Sequence, residues 1–102
     1  MANETPDMLN GPASMYTFRE FVIPRHMMEA LIDYIDNGNM PGHFLTAVLE
    51  NNLQKACAHA DELNLRNLPA YAAYLYNEAP ASCFGSPEAV TAWVKERQKA
   101  NG

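Results

Sequence analysis

The chain is poor in the residues that would commit it to a chemistry. Only two cysteines occur in 102 residues, Cys57 and Cys83, with no CxxC spacing. That excludes a disulfide framework and a cysteine-type zinc module. Basic residues are few as well: seven Lys and Arg against twelve Asp and Glu leave a formal charge of −5. Broad attraction to DNA, RNA or an anionic membrane rests on neutralising phosphates, so nucleic acid is a disfavoured partner. No stretch approaches the roughly 18 apolar residues of a membrane helix. The opening Met-Ala-Asn-Glu-Thr-Pro-Asp is acidic and lacks the apolar run of a secretory signal. A cytoplasmic protein with reduced thiols and no membrane contact is therefore expected. The five glycines fall into no Walker or dinucleotide pattern.

What remains is the composition of one ordinary globular domain, 48% hydrophobic and 19% charged. Residues 1–15 show no periodicity and predict a flexible tail; 16–100 predict a single helical domain. Tyr16 to Ile23, rich in aromatic and β-branched residues, reads as an extended arm or short strand. With no other strand predicted, this arm must lie across helices or pair with a second copy.

Helices account for the rest. Pro24 opens the first, where a missing N–H costs nothing, and Gly38 after Asn37 suits its C-terminal stop. Met27, Met28, Leu31, Ile32 and Ile35 recur at helical spacing, with Glu29, Asp33 and Asp36 turned away. Met27 and Met28 cannot both face one core, so one is partly exposed or covered by a partner. After Asn39-Met40-Pro41-Gly42 comes the longest apolar stripe: Phe44, Leu45, Val48, Leu49, Leu53, Ala56, Cys57, Ala60 and Leu63. It predicts a helix of about 20 residues, or ~30 Å, with a weak point or break at Asn51-Asn52. On it, Cys57 is a small buried hydrophobe.

A third helix is predicted from an Asn67 cap and Pro69 to Pro80. Leu68, Ala72, Leu75 and Ala79 would form its apolar face, with Tyr71, Tyr74 and Glu78 on an adjacent one. Ser86-Pro87-Glu88 gives cap, proline and acid for a fourth, on which Val90, Trp93, Val94 and Arg97 share a face. The predicted class is all-α, a small four-helix bundle-like domain with an extended N-terminal arm.

Several of these residues also carry a resemblance. Ile23-Pro24, Tyr34-Ile35, Pro41-Gly42-His43-Phe44-Leu45-Thr46-Ala47-Val48-Leu49, Asn52-Leu53, Tyr74-Leu75-Tyr76-Asn77 and Gly85-Ser86-Pro87-Glu88 with Trp93 occur in one order. Over residues 22 to about 97 the chain resembles small uncharacterised helical proteins encoded by bacteriophages and prophages. No activity or catalytic signature comes with that group. The resemblance implies a setting inside the host cytoplasm, where such accessory proteins bind host defence proteins or their nucleotide signals.

The residues offer few sites. Pro41-Gly42 leads into a helix whose first N–H groups lack internal partners, and His43 in that first turn can donate to a phosphate or carboxylate. Arg25, His26 and Arg66 would supply charge if the fold brought them near. Pro-Gly equally makes a plain turn between helices. Tyr71 and Tyr74 can stack on a base, belong to a protein interface, or simply pack in the core. His26, His43, His59, Cys57 and Cys83 lack metal-ligand spacing, so no metal or cofactor is expected. Ser86 is better explained as a cap than as a nucleophile, and no pairing of base and nucleophile is visible. The chain is not expected to be an enzyme.

Two functions are carried forward. In the first, a homo-oligomeric phage-type accessory protein sequesters a small anionic ligand, such as a nucleotide immune signal, through Arg25, His26, Gly42, His43, Arg66, Tyr71 and Tyr74. In the second, the chain is a protein–protein interaction module that inhibits or bridges a host or phage protein.

Overall fold

In the computed structural model the described residues are 15–101, so the predicted tail falls outside them except for Met15. Tyr16–Phe18 (β1) and Phe21–Ile23 (β2) form an antiparallel hairpin, Tyr16 opposite Ile23 and Phe18 opposite Phe21. The predicted arm thus finds its strand partner within itself, through the two-residue turn Arg19-Glu20. Arg19 takes a left-handed φ of 57° there, and its guanidinium sits 5.1 Å from the centre of the Phe18 ring. Tyr16 and Phe18, two residues apart, put half-buried rings on one face, and the hairpin packs along the Tyr-rich helix. The need for a second copy to pair this segment disappears.

The first helix, α1, spans Arg25–Asn37. Pro24 cannot donate, but its carbonyl accepts from the N–H groups of Met27 and Met28. Met28, Leu31 and Tyr34 are buried while Met27 is only half-covered, which settles the methionine pair. Gly38 ends the helix at φ 73° and donates its N–H to the Tyr34 carbonyl at 2.9 Å.

The predicted 20-residue helix is three short ones: α2 (His43–Leu49), α3 (Leu53–His59) and α4 (Glu62–Arg66). Local capping overrides the apolar period. Asn51 adopts a left-handed φ of 62°, with its N–H on the Val48 carbonyl, while the Asn52 N–H reaches back to Ala47 at 2.9 Å. That is a Schellman stop with Asn in the usual glycine place. Asn52 then caps α3, its Oδ1 accepting from the Lys55 N–H at 3.0 Å. The Asp61 carboxylate caps α4 by accepting from the Asn64 N–H at 2.8 Å. Each break reorients the stripe, and Leu53, Cys57 and Leu63 come out exposed instead of buried.

The fifth helix, α5, spans Leu68–Asn77, with Pro69 in its first turn. Its buried positions are Ala70, Tyr71, Ala73 and Leu75, so the helix is rotated from the predicted face and Ala72 is exposed. Asn67 sits at its N-cap position but does not cap it. The Asn67 Oδ1 accepts from the Val22 N–H at 2.9 Å, and its Nδ2 donates to the Leu63 carbonyl at 2.9 Å. One buried amide thus ties hairpin, α4 and α5 together. Asn67→Ala is expected to lower stability by about 1–2 kcal/mol, because the half-buried Val22 N–H loses its acceptor while the Leu63 carbonyl keeps the bond from the Asn67 backbone N–H. Urea unfolding checks it; Asn67→Asp, which keeps the acceptor for Val22, should lose less.

A single 3-10 turn at Ala81–Cys83 leads to α6, Pro87–Asn101. Ser86 caps it as predicted, its Oγ accepting from the Ala89 N–H at 3.0 Å. α6 packs on α1: Trp93 donates its indole N–H to the Ile35 carbonyl at 3.1 Å, and the Gln98 amide donates to the Gly38 carbonyl at 3.1 Å. The described residues form a helix-dominated domain of six α-helices and one hairpin, in place of the four-helix bundle predicted. Ile23, Leu31, Tyr34, Leu49, Tyr71, Cys83 and Val90 form the centre of its core.

Candidate functional site

One hollow among the described residues is an apolar groove of about 800 Å³. α3 supplies one wall with Leu53 and Ala56, and α5 the other with Leu68, Ala72 and Tyr76. Phe18 from the end of β1 and Phe84 after the 3-10 turn also line it. Its polar groups are the side-chain amides of Asn51, Asn52 and Asn77; no charged side chain lines it. The groove exists because α2 stops at Asn51 and α3 leaves at a new angle. Leu53, 66% exposed, and Tyr76, 85% exposed, stand at this surface. Large apolar side chains left in water beside a concavity are the usual mark of a binding surface.

A second hollow of about 560 Å³ lies on another side of α5, between Met15, Tyr16, Met28, Ile32, Ile35 and Tyr74, with Asp36 and Glu78 beside them. Tyr16 and Tyr74 meet edge to face there, ring centres 5.2 Å apart. Burial raises the Tyr74 hydroxyl above its ordinary value, and the nearby Cys83, Glu78 and Asp36 add to the rise.

The third, about 280 Å³, contains the predicted Pro41-Gly42-His43 turn. The His43 ring stacks on His59 at 5.2 Å and 24°, and Lys55 also lines the hollow. The sequence places neither Lys55 nor His59 at this turn; they arrive because α3 folds back against α2. Glu50 lines the same space and opposes an anion there. α2 is only seven residues long, so few peptide dipoles align behind Gly42.

The other predicted site residues do not join this turn. Arg25 is exposed at the start of α1, 3.8 Å from the Glu29 carboxylate, and His26 is exposed beside it. Arg66 is exposed at the end of α4. None of the three lines any of the three hollows. Tyr71 is a core residue, 1% exposed; its hydroxyl donates to the Asn64 Oδ1 at 2.8 Å and its ring meets Phe44 edge to face. Desolvation holds its hydroxyl well above the ordinary value, with the Asp61 carboxylate adding to the rise. Tyr71 cannot stack on a ligand. Tyr74 lines the second hollow, away from Gly42 and His43. Only Gly42 and His43 of the predicted set are brought together.

One signal for the groove was present in the sequence. Asn67 to Asn77 is an eleven-residue run without a charge, whereas α1 and α6 each carry several. Among the described residues no three His, Cys, Asp or Glu side chains converge as a metal site requires. No described helix is long and apolar enough to cross a membrane. No protein-family model, curated protein or solved structure matches this chain.

Proposed function

We propose that this chain is a non-catalytic protein-interaction module whose working surface is the groove between α3 and α5. One observation carries the reading: an uncharged, largely apolar concavity of about 800 Å³ flanked by exposed Leu53 and Tyr76. Its occupant is the apolar face of a partner helix or strand that brings no charge into the groove. A buried unpaired charge would be expensive where no counter-charge lines the wall. The Asn51, Asn52 and Asn77 amides hydrogen-bond the occupant's backbone or polar rim. In the phage-type setting that the sequence resemblance implies, the partner is a host or phage protein in the cytoplasm.

The competing reading, sequestration of a small anion, draws on His43, His59 and Lys55 around the third hollow. Glu50 in the same hollow and the scatter of Arg25, His26, Arg66, Tyr71 and Tyr74 weigh against it. One NMR titration separates the two. Peptides selected from a random helical library should shift resonances of Leu53, Ala72 and Phe84, and Ala72→Glu should abolish binding. Ala72 is exposed within α5 and glutamate is a good helix former, so the fold survives that change. If no selected peptide is sensitive to Ala72→Glu, the groove reading falls. If nucleotides instead shift His43 and His59 saturably, the anion reading replaces it.

A further inference from the structure

We infer that, in the absence of a partner, a second copy of this chain occupies the groove, and that Tyr76 is the side chain it inserts. The inference rests on the groove being the interaction surface and names its occupant. Tyr76 lies one helical turn beyond Ala72, lines the groove, and is 85% exposed. A projecting aromatic ring and an apolar hollow therefore sit on one patch. That is the condition for an isologous two-fold contact, in which the knob of each copy enters the hole of the other. Tyrosine suits the task, since it brings a large rigid apolar body and a hydroxyl for the rim. The groove's amides at Asn52 and Asn77 offer that hydroxyl partners.

Charge points to the same occupant. Each copy carries a formal −5, so most approaches between copies set acid against acid. The groove face of α5 avoids this: no charged residue lies between Asn67 and Asn77, and none lines the groove. Two copies meeting there bury no charge and juxtapose none. Ala72 at the centre of that face lets the two α5 helices come close. The contact is small, since α5 is only ten residues, or ~15 Å long. Interfaces of this size fall at the weak, transient end of the range. A partner offering a larger apolar face would displace the second copy, so the dimer is the resting form of the module.

Sedimentation of the full chain over about 10 µM to 1 mM tests this. The mass should climb from 11.4 kDa toward twice that value. Added salt should strengthen association slightly, by screening the like net charges. Tyr76→Glu should weaken the dimer at least tenfold, with an unchanged circular dichroism spectrum because the side chain is almost fully exposed. A benzophenone amino acid at position 76, in a mixture of isotopically light and heavy chains, should cross-link to Leu53, Ala56 or Phe84 of the other copy. A chain that stays monomeric throughout, a dimer indifferent to Tyr76→Glu, or cross-links only within one copy would each overturn the inference. If the chain is monomeric yet groove-selected peptides still bind, the second copy is refuted while the interaction surface stands. If neither event occurs, both are refuted.

Discussion

Tyr34→Ala is expected to lower the stability of the chain by about 4–7 kcal/mol. Tyr34 is 0% exposed and sits at the centre of the core, between α1 and the 3-10 turn that precedes α6. Removing a buried aromatic ring costs about 3–5 kcal/mol in lost transfer energy and residual cavity. A small domain has only about 5–15 kcal/mol in total, so the loss consumes much of it. The hydroxyl adds a second contribution: it donates to the Cys83 carbonyl at 2.8 Å, across 49 positions of sequence. Tyr34→Phe isolates that contribution. It keeps the ring and strands the carbonyl, so about 1–2 kcal/mol should be lost. Urea midpoints of the two variants beside the parent check both values, and near-parental stability of Tyr34→Ala would mean the core is not organised around this ring.

The same contact makes the protein sensitive to alkali. Burial pushes the Cys83 thiol from its ordinary 9.0 up to about 11. Burial chiefly, then the neighbouring Cys83 and Glu50, pushes the Tyr34 hydroxyl further still from its ordinary 10.0. Both folded-state values are raised, so between pH 9 and 11 the folded chain holds protons that the unfolded chain has released. The stabilisation is complete below pH 9, falls as pH rises to 11 for Cys83, and falls from pH 10 upward for Tyr34. Urea midpoints should therefore decline above pH 9. Cys83→Ala should remove the lower part of that decline and leave the part above pH 10.

Gly38→Ala is the second large effect, expected to cost about 3 kcal/mol. Two causes add. The glycine ends α1 at φ 73°, where an L side chain is disfavoured by about 1–2 kcal/mol. An added Cβ would also fall 2.7 Å from the Arg97 Cβ and 3.1 Å from the Val94 carbonyl oxygen. Neither is the free end of a flexible chain, so α6 must move off α1, at an overpacking cost of about 1–3 kcal/mol. That movement also strains the hydrogen bonds from Trp93 to Ile35 and from Gln98 to Gly38, and it disturbs the Arg97 guanidinium, which lies 4.7 Å from the centre of the Trp93 ring. A fall in Tm of roughly 12–24 °C follows for a domain of this size. Gly42→Ala is the control: its φ is −68° and a Cβ there meets nothing within 4 Å. It should cost no more than about 1 kcal/mol, because Gly42 is the N-cap of α2 and alanine is a poorer cap.

The positions legible in the sequence are those whose chemistry is local. Gly38 ends α1 because a left-handed residue is needed one step past the last turn, and glycine takes that conformation at no steric cost. Ser86-Pro87-Glu88 starts α6 because a hydroxyl, a ring without N–H and an acid each satisfy a helix N-terminus. Asn51-Asn52 was visible as a weak point because asparagine is a modest helix former; the helix breaks there because asparagine also tolerates the left-handed region and caps. Asp61 was equally readable as a cap, but the apolar period running through Ala60 and Leu63 masked it.

The candidate site was legible in much smaller part. Gly42 and His43 share a hollow, but Lys55 and His59 reach it only through the packing of α3 on α2. Tyr71 and Tyr74 are three residues apart on α5, yet one is sealed against Phe44 and the other lies against Tyr16. Which ring was available for binding depended on how α5 is rotated.

Sequence by itself determined the helical character of this protein, the ends of α1, the start of α6 and the uncharged run along α5. Each follows from torsional preference, capping or composition within a few residues. Tertiary structure alone decided that the Tyr16 to Ile23 segment folds on itself, that the buried Asn67 amide joins three elements, and that Leu53 and Tyr76 stand in water beside a groove. Those outcomes depend on the angles at which short helices leave one another. Such angles are set by pairwise packing of side chains far apart in sequence, which no local pattern encodes.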